Sequence, residues 1–182
     1  MYFLIALVVI AVIVVLMYNS LVKARQIKEE AWSGIDVQLK RRADLIPNLI
    51  ETVKGYAAHE SGTFEKVVEL RNRAQAVPAV DVEGRAAAEG MLSQALGKVF
   101  ALAEAYPDLK ANQNFIELQK SLDGLESEIQ MARRYYNGAA RDLNVKVESF
   151  PSNLLAGQFG FQKAQFFEIT DAADRAVPAV KF

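Results

Sequence analysis

The chain has 182 residues, with 21 Lys and Arg against 22 Asp and Glu and no cysteine. Without a basic excess there is little to drive counterion-release binding, so nucleic acid is not expected as a partner. The missing thiols exclude disulfides, iron–sulfur clusters, thiolate zinc sites and cysteine nucleophiles, and the length predicts one domain with a core of its own.

The first element is apolar on every face. From Tyr2 to Tyr18 every side chain is uncharged, and no charge appears before Lys23. At about 1.5 Å per residue the run through Val22 makes a helix of roughly 30 Å, the thickness of a bilayer's hydrocarbon core. Phe3, Leu7, Ile10 and Val14 are among about a dozen Leu, Ile, Val and Phe side chains that together favour insertion by several kcal/mol. Tyr2 at one end and Tyr18 with Asn19 at the other are residue types that settle among headgroups. A cleaved secretory signal would need a positive start, a shorter apolar run and a small-residue cleavage site, all weak or missing here. The segment is therefore expected to remain as a membrane anchor over residues 1–22. Lys23, Arg25 and Lys28 follow it, so the positive-inside rule places the rest of the chain in the cytoplasm.

Behind the anchor no strand-like alternation stands out, and residues 23–149 read as a helical bundle. A first helix continues unbroken from the membrane to about His59, with Ile35, Leu39, Ile46, Leu49, Val53 and Tyr56 at three- and four-residue steps. Pro47 lies inside it; it removes the bond to the Ala43 carbonyl and predicts a kink, not a break. Ser61, Gly62 and Thr63 form a turn and cap, and a short helix follows to Pro78. Asp81 opens a third, whose Ala88, Leu92, Ala95, Val99 and Leu102 make a packing face before Pro107. The fourth runs from Phe115 through Leu122, Leu125, Ile129 and Tyr136 to Leu143, about four heptads and more than ~40 Å. Short loops favour an antiparallel up-and-down bundle, with intermolecular coiled coil as the other use of such stripes.

Pro151 ends the helical region, and residues 150–182 form an irregular aromatic tail. Phe150, Pro151, Asn153, Phe159, Phe161, Phe166, Phe167 and Glu168 are its candidate interaction residues. They either fold against the chain's own bundle or anchor another subunit, protein or membrane surface.

Several long motifs resemble those of the LemA-type membrane proteins. They are Asn19-Ser20-Leu21, DVQLKRRADLIPNL from Asp36 to Leu49, Tyr56 with His59-Glu60, and YPDLKANQNF from Tyr106 to Phe115. ARRYYN from Ala132 to Asn137, FPSNLLA from Phe150 to Ala156, and the later FGF and FFE complete the set, which covers nearly the whole chain. The resemblance implies one N-terminal transmembrane helix, its N-terminus outside, carrying a cytoplasmic helical bundle at the bacterial inner membrane. It implies no reaction; a relative takes part in building bacterial magnetosome membranes, which makes membrane organisation a lead by analogy.

The residues offer little chemistry. His59 is the lone histidine, and His59-Glu60 lacks the second histidine of a helical zinc site; the pair is expected to end the first helix, so no metal or cofactor is expected. GQFG from Gly157 to Gly160 has no flanking basic cluster and there is no phosphate loop. The serines have no nearby histidine in sequence and only His59 exists to serve as a base, so a hydrolase is not expected. Lys40-Arg41-Arg42 with Asp44 is a mixed-sign cluster on a helix. Arg42 shares the seven-residue register of Ile35, Leu39 and Ile46, where a charge needs a partner, so Arg42 and Asp44 are candidates for buried ion pairing and Arg42 is expected on a carboxylate. These readings converge on a membrane-anchored, non-enzymatic scaffold or assembly protein that forms homo-oligomers and meets lipid and an unidentified protein partner. A monomeric tethered adaptor or regulator is the alternative, and an enzyme is the least expected.

Overall fold

The computed structural model describes residues 1–57 and 60–168, and among these all regular secondary structure is helical. Six helices follow one another: α1 (Tyr2–Lys54), α2 (Ser61–Ala76), α3 (Val82–Ala103), α4 (Pro107–Lys110), α5 (Gln113–Glu148) and α6 (Ser152–Gln158). The chain is all-α, with the apolar run and the first amphipathic stripe in one uninterrupted helix of 53 residues.

Local chemistry explains most of the boundaries. The Asp81 carboxylate accepts from the Gly84 amide at 2.8 Å and caps α3. The Asn112 side chain accepts from the Phe115 amide at 3.0 Å and starts α5. Both satisfy an amide that has no partner inside its helix. Pro107 stands at the first position of α4, where its missing N–H costs nothing. The first helix stops at Lys54, short of the expected end, and His59 lies outside the described residues. Pro47 does not break α1, and its structural consequence falls on Ala43: with no amide at position 47, that carbonyl accepts instead from Nε of Arg71 on α2 at 2.7 Å.

The chain divides into two compact units. Unit 1 comprises residues 1–36 and 130–166, in which α1 and α5 run antiparallel. Lys146 Nζ donates to Ser20 Oγ at 2.8 Å, and farther along Trp32 meets the ring of Tyr136 at 5.4 Å. The tail returns along α5, where Asn144 both donates to the Ala164 carbonyl and accepts from the Ala164 amide, and the Tyr136 hydroxyl donates to the Gln165 carbonyl at 2.9 Å. Burial raises the Tyr136 phenol above its ordinary pKa of 10.0.

Among the described residues, unit 2 comprises 37–57, 60–129 and 167–168. Its α1 and α5 are again antiparallel: Arg42 reaches Glu126, and just past the end of α1 and just before the start of α5 Tyr56 accepts from Asn112. Ile46, Leu49 and Val53 of α1, Phe64 and Val67 of α2, Leu92 and Val99 of α3, Leu109 of α4, and Phe115 and Leu122 of α5 share one core. Each such side chain contributes about 1.5–3 kcal/mol on burial.

Candidate functional site

Two constellations stand out, one in each unit. In unit 2 the buried stripe of α1 includes Arg42, 2% exposed between Leu39 and Ile46. Its Nη2 donates to Glu89 Oε2 at 2.6 Å, and its Nη1 donates to Glu126 Oε2 and Ser93 Oγ, each at 2.7 Å. The other oxygen of Glu89 accepts from Arg85 Nε at 3.0 Å. Helices α1, α3 and α5 are thus tied by two guanidiniums and two carboxylates whose formal charges cancel. A guanidinium offers only donors and each carboxylate accepts from Arg42, so the cluster is suited to fixing helix register. A cavity of about 270 Å³ opens beside it, with Ser93, Asp123 and Glu126 among otherwise largely apolar walls. The Ser93 hydroxyl there faces a cation, not a base. Among the described residues no three His, Asp or Glu side chains converge as metal ligands.

Asp44 is not part of this cluster. It lies exposed on α1, because a residue two positions on is about 200° around the helix from Arg42. The partner is Glu89, and it carries its own signal in the sequence: it shares the seven-residue register of Val82, Leu96 and Ala103, all buried on α3. Ser93 shares the register of buried Ala86 and half-buried Phe100 but has no charge to mark it, and Glu126, partly exposed on α5, carries no such signal.

In unit 1 the second constellation lies where the apolar run ends. Tyr2, Phe3, Leu7, Ile10, Val14 and Tyr18 are exposed on α1, as is every residue from Met1 to Leu16. Around the last turn of that run the tail packs back. Leu21 of α1, Ala156 of α6 and Phe161 form a small core with Val22, Val147 and Leu155 against it. Tyr18 meets the edges of Phe159 at 4.9 Å and Phe161 at 5.9 Å, and the Arg25 guanidinium sits 5.0 Å over the Phe161 ring. Lys163 pairs with Glu148. The tail residues therefore divide: Phe161 and Phe167 are buried, while Phe150, Pro151, Asn153, Phe159, Phe166 and Glu168 are exposed.

The LemA family model matches residues 31–182. The chain belongs to the LemA family. Among curated relatives, this LemA-family chain is 26% identical over 184 aligned positions to magnetosome protein MamQ 2 of Paramagnetospirillum magneticum, covering 88% of this chain and 68% of the relative. It is 23% identical to magnetosome protein MamQ of Magnetospirillum gryphiswaldense with the same coverage, and 24% identical to protein LemA of Metamycoplasma hominis over 84% of this chain and 69% of that one. With these relatives and one helix apolar and long enough to cross a bilayer, the LemA-family chain is a membrane-associated helical protein.

Proposed function

We propose that the protein is a non-enzymatic scaffold or assembly factor, held by α1 in the bacterial inner membrane with its N-terminus outside, that self-associates and organises membrane or partner proteins. The observation that carries this reading is the form of α1: one uninterrupted helix that is exposed on every face from Tyr2 to Leu16 and striped for packing beyond Leu21. Such a helix transmits position from lipid to bundle and builds no pocket of its own. The magnetosome proteins among the relatives lend support by analogy. Lys23, Arg25 and Lys28 immediately after the apolar run support the orientation.

Self-association has a candidate surface within unit 1. Met131, Tyr135 and Val145 stand exposed on one face of α5 with Gly138 among them, and Asp142 on the same face supplies a charge that can set register. The test is mass photometry of the full chain in detergent, intact and as Tyr135→Glu. The proposal expects a multiple of the 20.1 kDa chain mass for the intact protein and a loss of subunits in the variant. A single-chain mass for the intact protein refutes self-association and leaves the monomeric adaptor.

A further inference from the structure

The exposed apolar side chains of the tail are not scattered. Phe150 precedes α6 and is 80% exposed, Leu154 on α6 is 64% exposed, and Phe159 at its end is 54% exposed. The other side of the same helix is committed to its own unit: Ala156 and Leu155 pack with Leu21 and Val22 of α1 and with Val147 of α5. These contacts fix the depth of α6 along α1, level with residues 18–22, and the ring of Phe159 touches Tyr18 itself. Tyr18 is the last aromatic residue of the apolar run and Lys23 its first charge. If α1 crosses the bilayer, then α6 lies at its water boundary with Phe150, Leu154 and Phe159 uncovered.

We propose that α6 is a second, peripheral membrane contact: an interfacial helix that sinks Phe150, Leu154 and Phe159 among the headgroups and upper acyl chains beside the span. The inference rests on the reading of α1 as a membrane anchor. It is favoured by continuity, since the three side chains extend the lipid-facing surface of α1 sideways at the level where aromatic residues partition. Charge favours it too. Lys23, Arg25 and Lys146 stand at this level, Arg25 over the Phe161 ring and Lys146 on Ser20, while Lys163 is paired with Glu148, which leaves an excess of positive charge that suits anionic lipid. A short helix alone binds a membrane weakly, but a neighbouring span removes the cost of bringing it there, so three apolar side chains suffice. The result is a two-point attachment that sets the tilt and rotation of the first turns of soluble helix against the membrane plane.

The chain has no cysteine, so single reporters can be placed in the full-length protein. Leu154→Cys, Ile10→Cys and Gln75→Cys, all at exposed positions, are labelled with an environment-sensitive fluorophore in vesicles of phosphatidylcholine with phosphatidylglycerol. Lipid-borne nitroxides placed shallow or deep, and aqueous iodide, then serve as quenchers. The proposal expects deep nitroxide to quench position 10, and shallow nitroxide to quench position 154 roughly twofold or more over position 75, as an interfacial side chain requires. Position 154 open to iodide and untouched by lipid quencher, with position 10 still lipid-quenched, overturns the proposal and leaves the anchor standing. Position 154 shielded from both quenchers means that protein covers the patch, which also overturns it. Failure of lipid quenching at position 10 removes the anchor and this inference with it.

Discussion

Arg42 shows how a charge can be held inside a helical bundle. A buried guanidinium loses its hydration, and only well-placed acceptors offset that loss; here Glu89, Glu126 and Ser93 supply them. Arg42→Ala is expected to destabilise the chain by about 3–5 kcal/mol, because Glu89 keeps its buried charge with one guanidinium fewer. Replacing Arg42 and Glu89 together by Met should cost less than the sum of the two single changes, with a coupling of about 1–3 kcal/mol in urea unfolding in detergent. Strict additivity would show that the contact does not stabilise the fold. Tyr136 gives a pH-dependent test. Burial raises its phenol above 10.0, so the folded state keeps a proton that the unfolded chain releases; stability is fully present below about pH 10 and falls as pH rises toward the raised value. In Tyr136→Phe that alkaline loss should shrink, at a cost of about 1 kcal/mol at neutral pH for the lost bond to the Gln165 carbonyl. An alkaline melting profile identical to that of the unaltered chain would contradict it. The buried charges of Arg42 and Glu89 were each legible from register, whereas their pairing was not, because register places a residue on a face without saying which helix faces it.

At the scale of elements, α1 is governed by Pro47. The proline costs one helical bond, and Arg71 from α2 replaces it at the Ala43 carbonyl. A double-mutant cycle should expose this dependence. Arg71→Ala is expected to cost about 1–3 kcal/mol where Pro47 is present, since it leaves a buried carbonyl unpaired, and clearly less in a Pro47→Ala background, where the amide of residue 47 returns to the carbonyl. Equal costs in the two backgrounds would separate the two residues. The long helices and the Asp81 cap were readable in the sequence because three- and four-residue steps persist there and the capping chemistry is specific. Helices α4 and α6 were not, being four and seven residues long, too short for a period to accumulate. The division of the tail into buried Phe161 and Phe167 and exposed Phe150 and Phe159 was equally hidden, since consecutive apolar residues around glycine do not declare which side packs.

For the molecule as a whole, α1 plays two roles within one helix. Residues up to Leu16 expose their entire circumference, a surface that water disfavours and lipid accepts; beyond Leu21 the same helix buries one stripe and leaves charges on the others. Anchoring, the interfacial position of α6 and self-association through α5 all follow only if that boundary coincides with the membrane surface. Flotation of vesicles after an alkaline carbonate wash tests it most directly, comparing the intact chain with one that begins at Lys23. The intact chain is expected to float with the lipid and the shortened chain to be released; release of the intact chain into the supernatant would show that α1 does not cross the bilayer.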